Sequence, residues 1–199
     1  IFSRICYLCS STKYHMILRL SIDGLFSFGE EREFVTIPAS SKYTRMKHHL
    51  YKEKGFEYLK LISIYGANGA GKSNIVKSLA LLRDIVLKGE IPVRFDNTLF
   101  KFIKSDQGRK ASIKLEFVQD NIIFYYGIEF LNNIISNEVL YESGLGVDPD
   151  RLIFNRTTDF KHTKIEFHHK LKNDKEFNVL NSVIEKSLLK KNIPLLHFL

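Results

Sequence analysis

The spacing of apolar positions changes several times along the chain, and each change marks an element. Met16-Ile-Leu-Arg-Leu-Ser-Ile22 alternates enough to predict a strand, and Phe34-Val-Thr-Ile37, ended by Pro38, predicts a second. Residues 39–54 are polar and basic and read as a surface excursion, with His48 and His49 as a solvated pair. Leu59-Lys-Leu-Ile-Ser-Ile-Tyr65 is a compact apolar run that suits a strand buried in a sheet. After Ser73 the period becomes helical: Ile75, Leu79, Leu82 and Val86 share a face, with Val76, Ala80 and Leu87 beside them. Gly89 is placed to stop this helix and Pro92 to prevent its resumption.

Beyond the helix the pattern returns to β. Ser112–Val118 alternates strictly, Asp120-Asn121 is a turn, Ile122–Phe130 follows, Asn132-Asn133 turns again, and Ile134–Tyr141 completes a meander. Leu152–Phe154 and Thr163–Phe167 extend it. From about Lys175 a helical spacing reappears at Phe177, Leu180, Val183, Ile184 and Leu188. The sequence then ends on Leu195-Leu-His-Phe-Leu199. Such an apolar end is expected to be buried in a closed domain, and to be exposed or self-associating where part of the domain is missing.

Residues 1–15 fit none of this. Arg4 and a run of Cys, Ser and Thr interrupt any secretory apolar core, so we expect a non-native or disordered extension ahead of a start at Met16. Cys6 and Cys9 form Cys-x-x-Cys, but His15 is the only further ligand nearby, and zinc takes four. A redox pair would need a strand-to-helix setting that this segment lacks. No cysteine follows Cys9, and no stretch of about 18 apolar residues occurs, which together point to a cytoplasmic protein with no membrane partner.

Composition adds bounds. The 199 residues are 44% hydrophobic and 26% charged, enough to bury a core and too apolar for a disordered chain. Thirty Lys and Arg against 22 Asp and Glu give a net charge of +8, which favours phosphate-bearing partners, although the bases are spread along the chain.

One motif carries chemistry. Gly66-Ala67-Asn68-Gly69-Ala70-Gly71-Lys72-Ser73 fits G-x-x-x-x-G-K-[ST], and Asn74 follows it. Glycines let the backbone wrap closely with its N–H groups aimed at phosphate oxygens. Lys72 adds a full positive charge beside β- and γ-phosphates, and the Ser73 hydroxyl is a ligand for Mg²⁺. The helix that starts there turns its positive dipole end to the same anion.

With Asn74 included, the loop resembles that of AAA-family, ABC-type ATPases related to the structural-maintenance-of-chromosomes, RecF and OLD groups, which carry G-x-N-G-x-G-K-[ST]-[NT]. Met16–Ile22 followed by Phe26-Ser27-Phe28 is similar to their opening strand and F-x-S-F, and the β-rich arm at about 111–167 is similar to theirs. The resemblance implies an α/β P-loop NTPase fold over 16–199, an ABC-ATPase-like N-terminal lobe with a mixed sheet and an antiparallel β subdomain. It also implies ATP and Mg²⁺ as ligands.

The chain departs from that pattern in places. No apolar strand ending in Asp-Glu, the Walker B segment, follows Ser73; Leu115-Glu-Phe-Val-Gln-Asp120 is nearest and is broken by Glu116 and Gln119. Ser143-Gly-Leu-Gly146 has no helix pattern after it and is rejected as a signature motif, and neither Gln107 nor Gln119 is a clear Q-loop residue. No catalytic residue is identifiable, and the chain reads as the N-terminal half of a longer ATPase that pairs with a missing C-terminal lobe or with a second copy. Three readings follow. The first is an ATP-binding lobe. The second is a DNA- or partner-binding module switched by nucleotide, with Lys42–His49 and Lys161–Lys164 as basic contacts, in DNA repair or anti-phage defence. The third is an inactive truncated product.

Overall fold

β1 (Met16–Asp23) buries Leu18, Leu20 and Ile22 on alternate positions, as its pattern demands. It pairs with β2 (Arg32–Val35) on one side and β5 (Lys110–Gln119) on the other. From β5 the meander runs through β6 (Ile122–Leu131), β7 (Ile134–Glu142), β8 (Arg151–Thr158) and β9 (Thr163–Phe167). The sheet order is β2-β1-β5-β6-β7-β8-β9. The computed structural model describes residues 16–38, 48, 50–53, 56–59, 61–102, 108–144, 148–159, 162–168, 178–179, 182–184 and 189–199. The extension at 1–15 with Cys6 and Cys9, the bases 42–47 and 161, His49 and Gln107 lie outside those residues.

The turns follow from their residues. Asp120 and Asn121 both take left-handed φ values, 51° and 64°, the hairpin geometry that their short polar side chains tolerate. Asn132 at φ 54° opens the next hairpin.

The α/β class read from the sequence holds, with the balance tilted toward β. Among the described residues one long helix, α1 (Lys72–Lys88), lies against the sheet and buries Ile75, Ser78, Leu82 and Ile85. It stops at Gly89, which sits at φ 72° and donates its N–H to the Ile85 carbonyl at 3.0 Å. No side chain fits there for a second reason, since a Cβ would meet the His197 ring at 2.5 Å.

Three expectations change. Every pairing among the described strands is antiparallel, where a mixed sheet was expected. The strand expected over Leu59–Tyr65 instead ends at Leu59: β4 (Phe56–Leu59) pairs with β3 (Leu50–Glu53) in a separate two-stranded sheet. Residues 61–65 carry no strand pairing among the described residues, and Leu61 and Tyr65 are 70% and 90% exposed. An apolar run becomes a buried strand only where neighbours flank it, and here the described neighbours pair elsewhere. The apolar C-terminus is packed rather than exposed. Leu195 is fully buried, and Leu196, Phe198 and Leu199 pack on the core. Of the helical segment expected beyond Lys175, helical backbone is described at 178–179 and 182–184, and Ile184 reaches the core.

A buried ion pair holds that end. Glu138 on β7 and Arg156 on β8 are directly paired across the strands, both fully buried, at 3.4 Å. Glu138 accepts hydrogen bonds from the Leu195 N–H at 2.6 Å, the Leu196 N–H at 2.9 Å and the Tyr126 hydroxyl at 3.0 Å. Arg156 donates to the Ile193 carbonyl, and at 3.0 Å to the Lys190 carbonyl. Burial pushes the Glu138 carboxyl up, while the Leu196 and Leu195 N–H groups and Arg156 pull it down. Burial also drives the Tyr126 hydroxyl well up, with the Glu138 charge adding to the effect. The tail so fixed reaches α1, where His197 Nδ1 lies 2.9 Å from the Val86 carbonyl.

Removing one member of such a pair strands a buried charge. Glu138→Ala should therefore lower stability by about 3–5 kcal/mol, read as a fall in the urea unfolding midpoint. An unchanged midpoint would show that the tail docks without the carboxylate.

Candidate phosphate-binding loop

The approach to the loop, 61–67, has no regular secondary structure, and the chain turns at Asn68-Gly69 before entering α1. All residues from 61 to 70 are exposed. Gly69 and Gly71 take φ values of 82° and 86°, which an L side chain rarely adopts. At Gly71 a Cβ would also come within 2.8 Å of Ser27 Oγ, so glycine is needed twice over. The loop closes on itself through the Ala70 N–H, which bonds the Ala67 carbonyl at 3.2 Å, and the Asn74 N–H bonds the Gly71 carbonyl at 2.9 Å.

Lys72, the first residue of α1, folds its side chain back over this ring. Its Nζ donates to the Gly66 carbonyl at 2.6 Å and the Ala67 carbonyl at 2.7 Å. The ammonium is therefore held above the loop by two neutral acceptors that a phosphate oxygen would outcompete. Ser73 is exposed in the first helical turn. That turn has no acidic residue and no side-chain cap bond, which leaves the positive end of a 17-residue helix open to an anion. The donor set fits a nucleotide phosphate chain: left-handed glycines, a lysine on weak acceptors, an uncapped helix start and an exposed hydroxyl for Mg²⁺. Gly66, Ala67, Asn68, Gly69, Ala70, Gly71, Lys72, Ser73 and Asn74 thus form one continuous lip ahead of and into α1, exposed at 66–70 and Ser73 and half-buried at Gly71, Lys72 and Asn74.

One neighbour carries no role in the motif. Ser27, from the turn after β1, accepts a hydrogen bond from Asn74 Nδ2 at 2.9 Å. The signal in the sequence is the F-x-S-F pattern: Phe28 goes into the core, and Ser27 between the two aromatics is left outside.

The other candidates fall away from the loop. Glu116 on β5 is buried and accepts from the Ser143 hydroxyl at 2.9 Å, with Arg19 at 3.5 Å, so the nearest Walker B match is part of the sheet. Gln119 is buried at the end of the same strand. Ser143 and Gly144 follow β7, and the Gly144 N–H bonds Asp150 Oδ1 at 2.9 Å ahead of β8; Leu145 and Gly146 lie outside the described residues. Among the described residues no three His, Cys, Asp or Glu side chains gather as a metal site, and no helix is long and apolar enough to cross a membrane.

A family model described as "AAA domain, putative AbiEii toxin, Type IV TA system" matches residues 61–198. No curated protein and no solved structure matches the chain. The matched span takes in the loop, α1, the strands β5–β9 and the tail that Glu138 and Arg156 hold. The chain belongs to this AAA family, of P-loop ATPase type.

Proposed function

We propose that the chain binds ATP with Mg²⁺ through the 66–74 loop, as the nucleotide-binding lobe of an ABC-type ATPase of the RecF and OLD kind. The observation that carries this is the position of Lys72, the first residue of an uncapped helix, with its ammonium parked on the Gly66 and Ala67 carbonyls. On binding, the ammonium exchanges those carbonyls for phosphate oxygens, and the N–H groups at the start of α1 add their dipoles. Mg²⁺, when bound, neutralises charge between the β- and γ-phosphates, and the Ser73 hydroxyl is the group that would hold it. The loop backbone orients the phosphate chain without large movement, because its left-handed glycines are already set. The same reading accounts for the exposed apolar run at 61–65. A strand leading into such a loop belongs inside a sheet, so a further lobe or a second copy of the chain is its proposed neighbour.

Orienting the attacking water needs a carboxylate or its equivalent. No carboxylate is bonded to the loop among the described residues, and no Asp-Glu pair follows an apolar strand after Ser73. Binding without efficient turnover is the consequence for this chain alone.

Isothermal titration with ATP and Mg²⁺ should show binding that Lys72→Ala weakens at least tenfold; equal affinity in the two proteins would overturn the assignment. Phosphate release from ATP should stay below about 1 s⁻¹, the low end of ordinary enzyme turnover. A faster rate would reveal a catalytic carboxylate elsewhere in the chain.

A further inference from the structure

We infer that Ser27 is a positioning residue for the phosphate loop, an inference that rests on the nucleotide reading of that loop. The loop has few supports. Its approach is exposed, and its side-chain brace from within is Lys72 on the Gly66 and Ala67 carbonyls. That brace is lost when the ammonium turns to a phosphate, so the free and bound loops cannot both rely on it. What remains is the backbone bonding of Ala70 to Ala67 and of Asn74 to Gly71, and one side-chain contact from outside the loop, Ser27. Ser27 Oγ sits against the Cα of Gly71, where a Cβ would lie 2.8 Å away, and it accepts the Asn74 amide at 2.9 Å. It therefore touches both the left-handed residue that starts α1 and the first helical turn.

Ser27 is itself held from below. Phe26 takes a φ of 53°, unusual for a bulky residue, and its N–H bonds the Thr98 carbonyl at 2.6 Å. The Phe28 N–H bonds the Leu25 carbonyl at 2.8 Å, and Leu25 bridges to Leu99. Leu25, Phe28 and Leu99 are buried. A strained, over-determined backbone thus presents one exposed hydroxyl to the loop, the kind of strain that accompanies a site rather than a solvent turn. The Ser27 oxygen accepts from Asn74, so the bond orients the Asn74 amide and keeps Gly71 seated while Lys72 moves.

The test is isothermal titration with ATP and Mg²⁺ on the full chain, with thermal unfolding measured in parallel. Ser27→Ala should weaken nucleotide binding about five- to tenfold, the scale of one lost hydrogen bond, and leave the unfolding temperature unchanged because the side chain is exposed. Ser27→Thr should restore affinity, since the hydroxyl is kept. Asn74→Ala should lose a similar factor, and the double variant should lose little more, because both remove the same contact. Wild-type affinity in Ser27→Ala would overturn the inference. So would a parallel fall in affinity and unfolding temperature that threonine does not rescue, since that would mark a purely structural role. Failure of the unaltered chain to bind ATP would overturn the nucleotide reading, and this inference with it.

Discussion

The Glu138–Arg156 pair sets the constraint on which the rest depends. Seven strands joined mostly by short hairpins can find their neighbours locally. The C-terminal segment cannot, because its partners are strands dozens of residues earlier. The pair gives it one docking position. Two backbone N–H groups must meet the carboxylate and two backbone carbonyls must meet the guanidinium. A buried ion pair adds little net stability over an apolar packing of the same volume, but it tolerates no half-made arrangement. It therefore acts here as a register device. The Ile135 and Ile91 N–H groups reinforce that register by bonding the Lys191 carbonyl at 2.9 Å and the Asn192 carbonyl at 3.0 Å.

Once docked, the tail closes one end of α1. His197 meets the Val86 carbonyl and fills the space over Gly89 that any Cβ would need. A histidine near a helix C-terminus also complements the exposed carbonyls there. The carbonyl end of the helix is thus covered by the tail, while the N–H groups at its positive end have no side-chain cap. That asymmetry suits an anion at the loop, and it arises from packing as much as from the loop motif.

What was legible in the sequence follows from how far apart the deciding residues lie. The α1 period, its stop at Gly89 and the Asp120-Asn121 hairpin are short-range properties, and each stands where the pattern put it. Ile85 was missed as a core residue because the chosen face ran through Val86, one position along. The strand expected at 59–65 failed for the opposite reason: an apolar run reports the wish to be buried, not the presence of a neighbour. The buried role of Glu138 and Arg156 could not be read at all. Each looks like an ordinary polar position on a half-solvated strand, and only the tail that covers them makes them core. Ser27 lay in plain view within F-x-S-F, but its contact to Asn74 crosses 47 residues, which no local pattern encodes.

These long-range contacts have a common consequence for α1. Its first turn is tied to the β1 turn through Ser27 and Asn74, and its last turn to the tail through His197 and Val86, 111 residues away in sequence. Between them Ile75, Leu82 and Ile85 pack into the same core as the sheet. A helix fixed at both ends and along one face has little freedom to slide when charge arrives at its N-terminus. The proposed response to a phosphate then falls to the Lys72 side chain, which exchanges its carbonyl partners while the left-handed glycines hold the loop. The proposed site thus joins a fixed half, built from α1 and the sheet, to an exposed apolar approach at 61–65. A neighbour that covered that approach would meet the loop from the side away from α1.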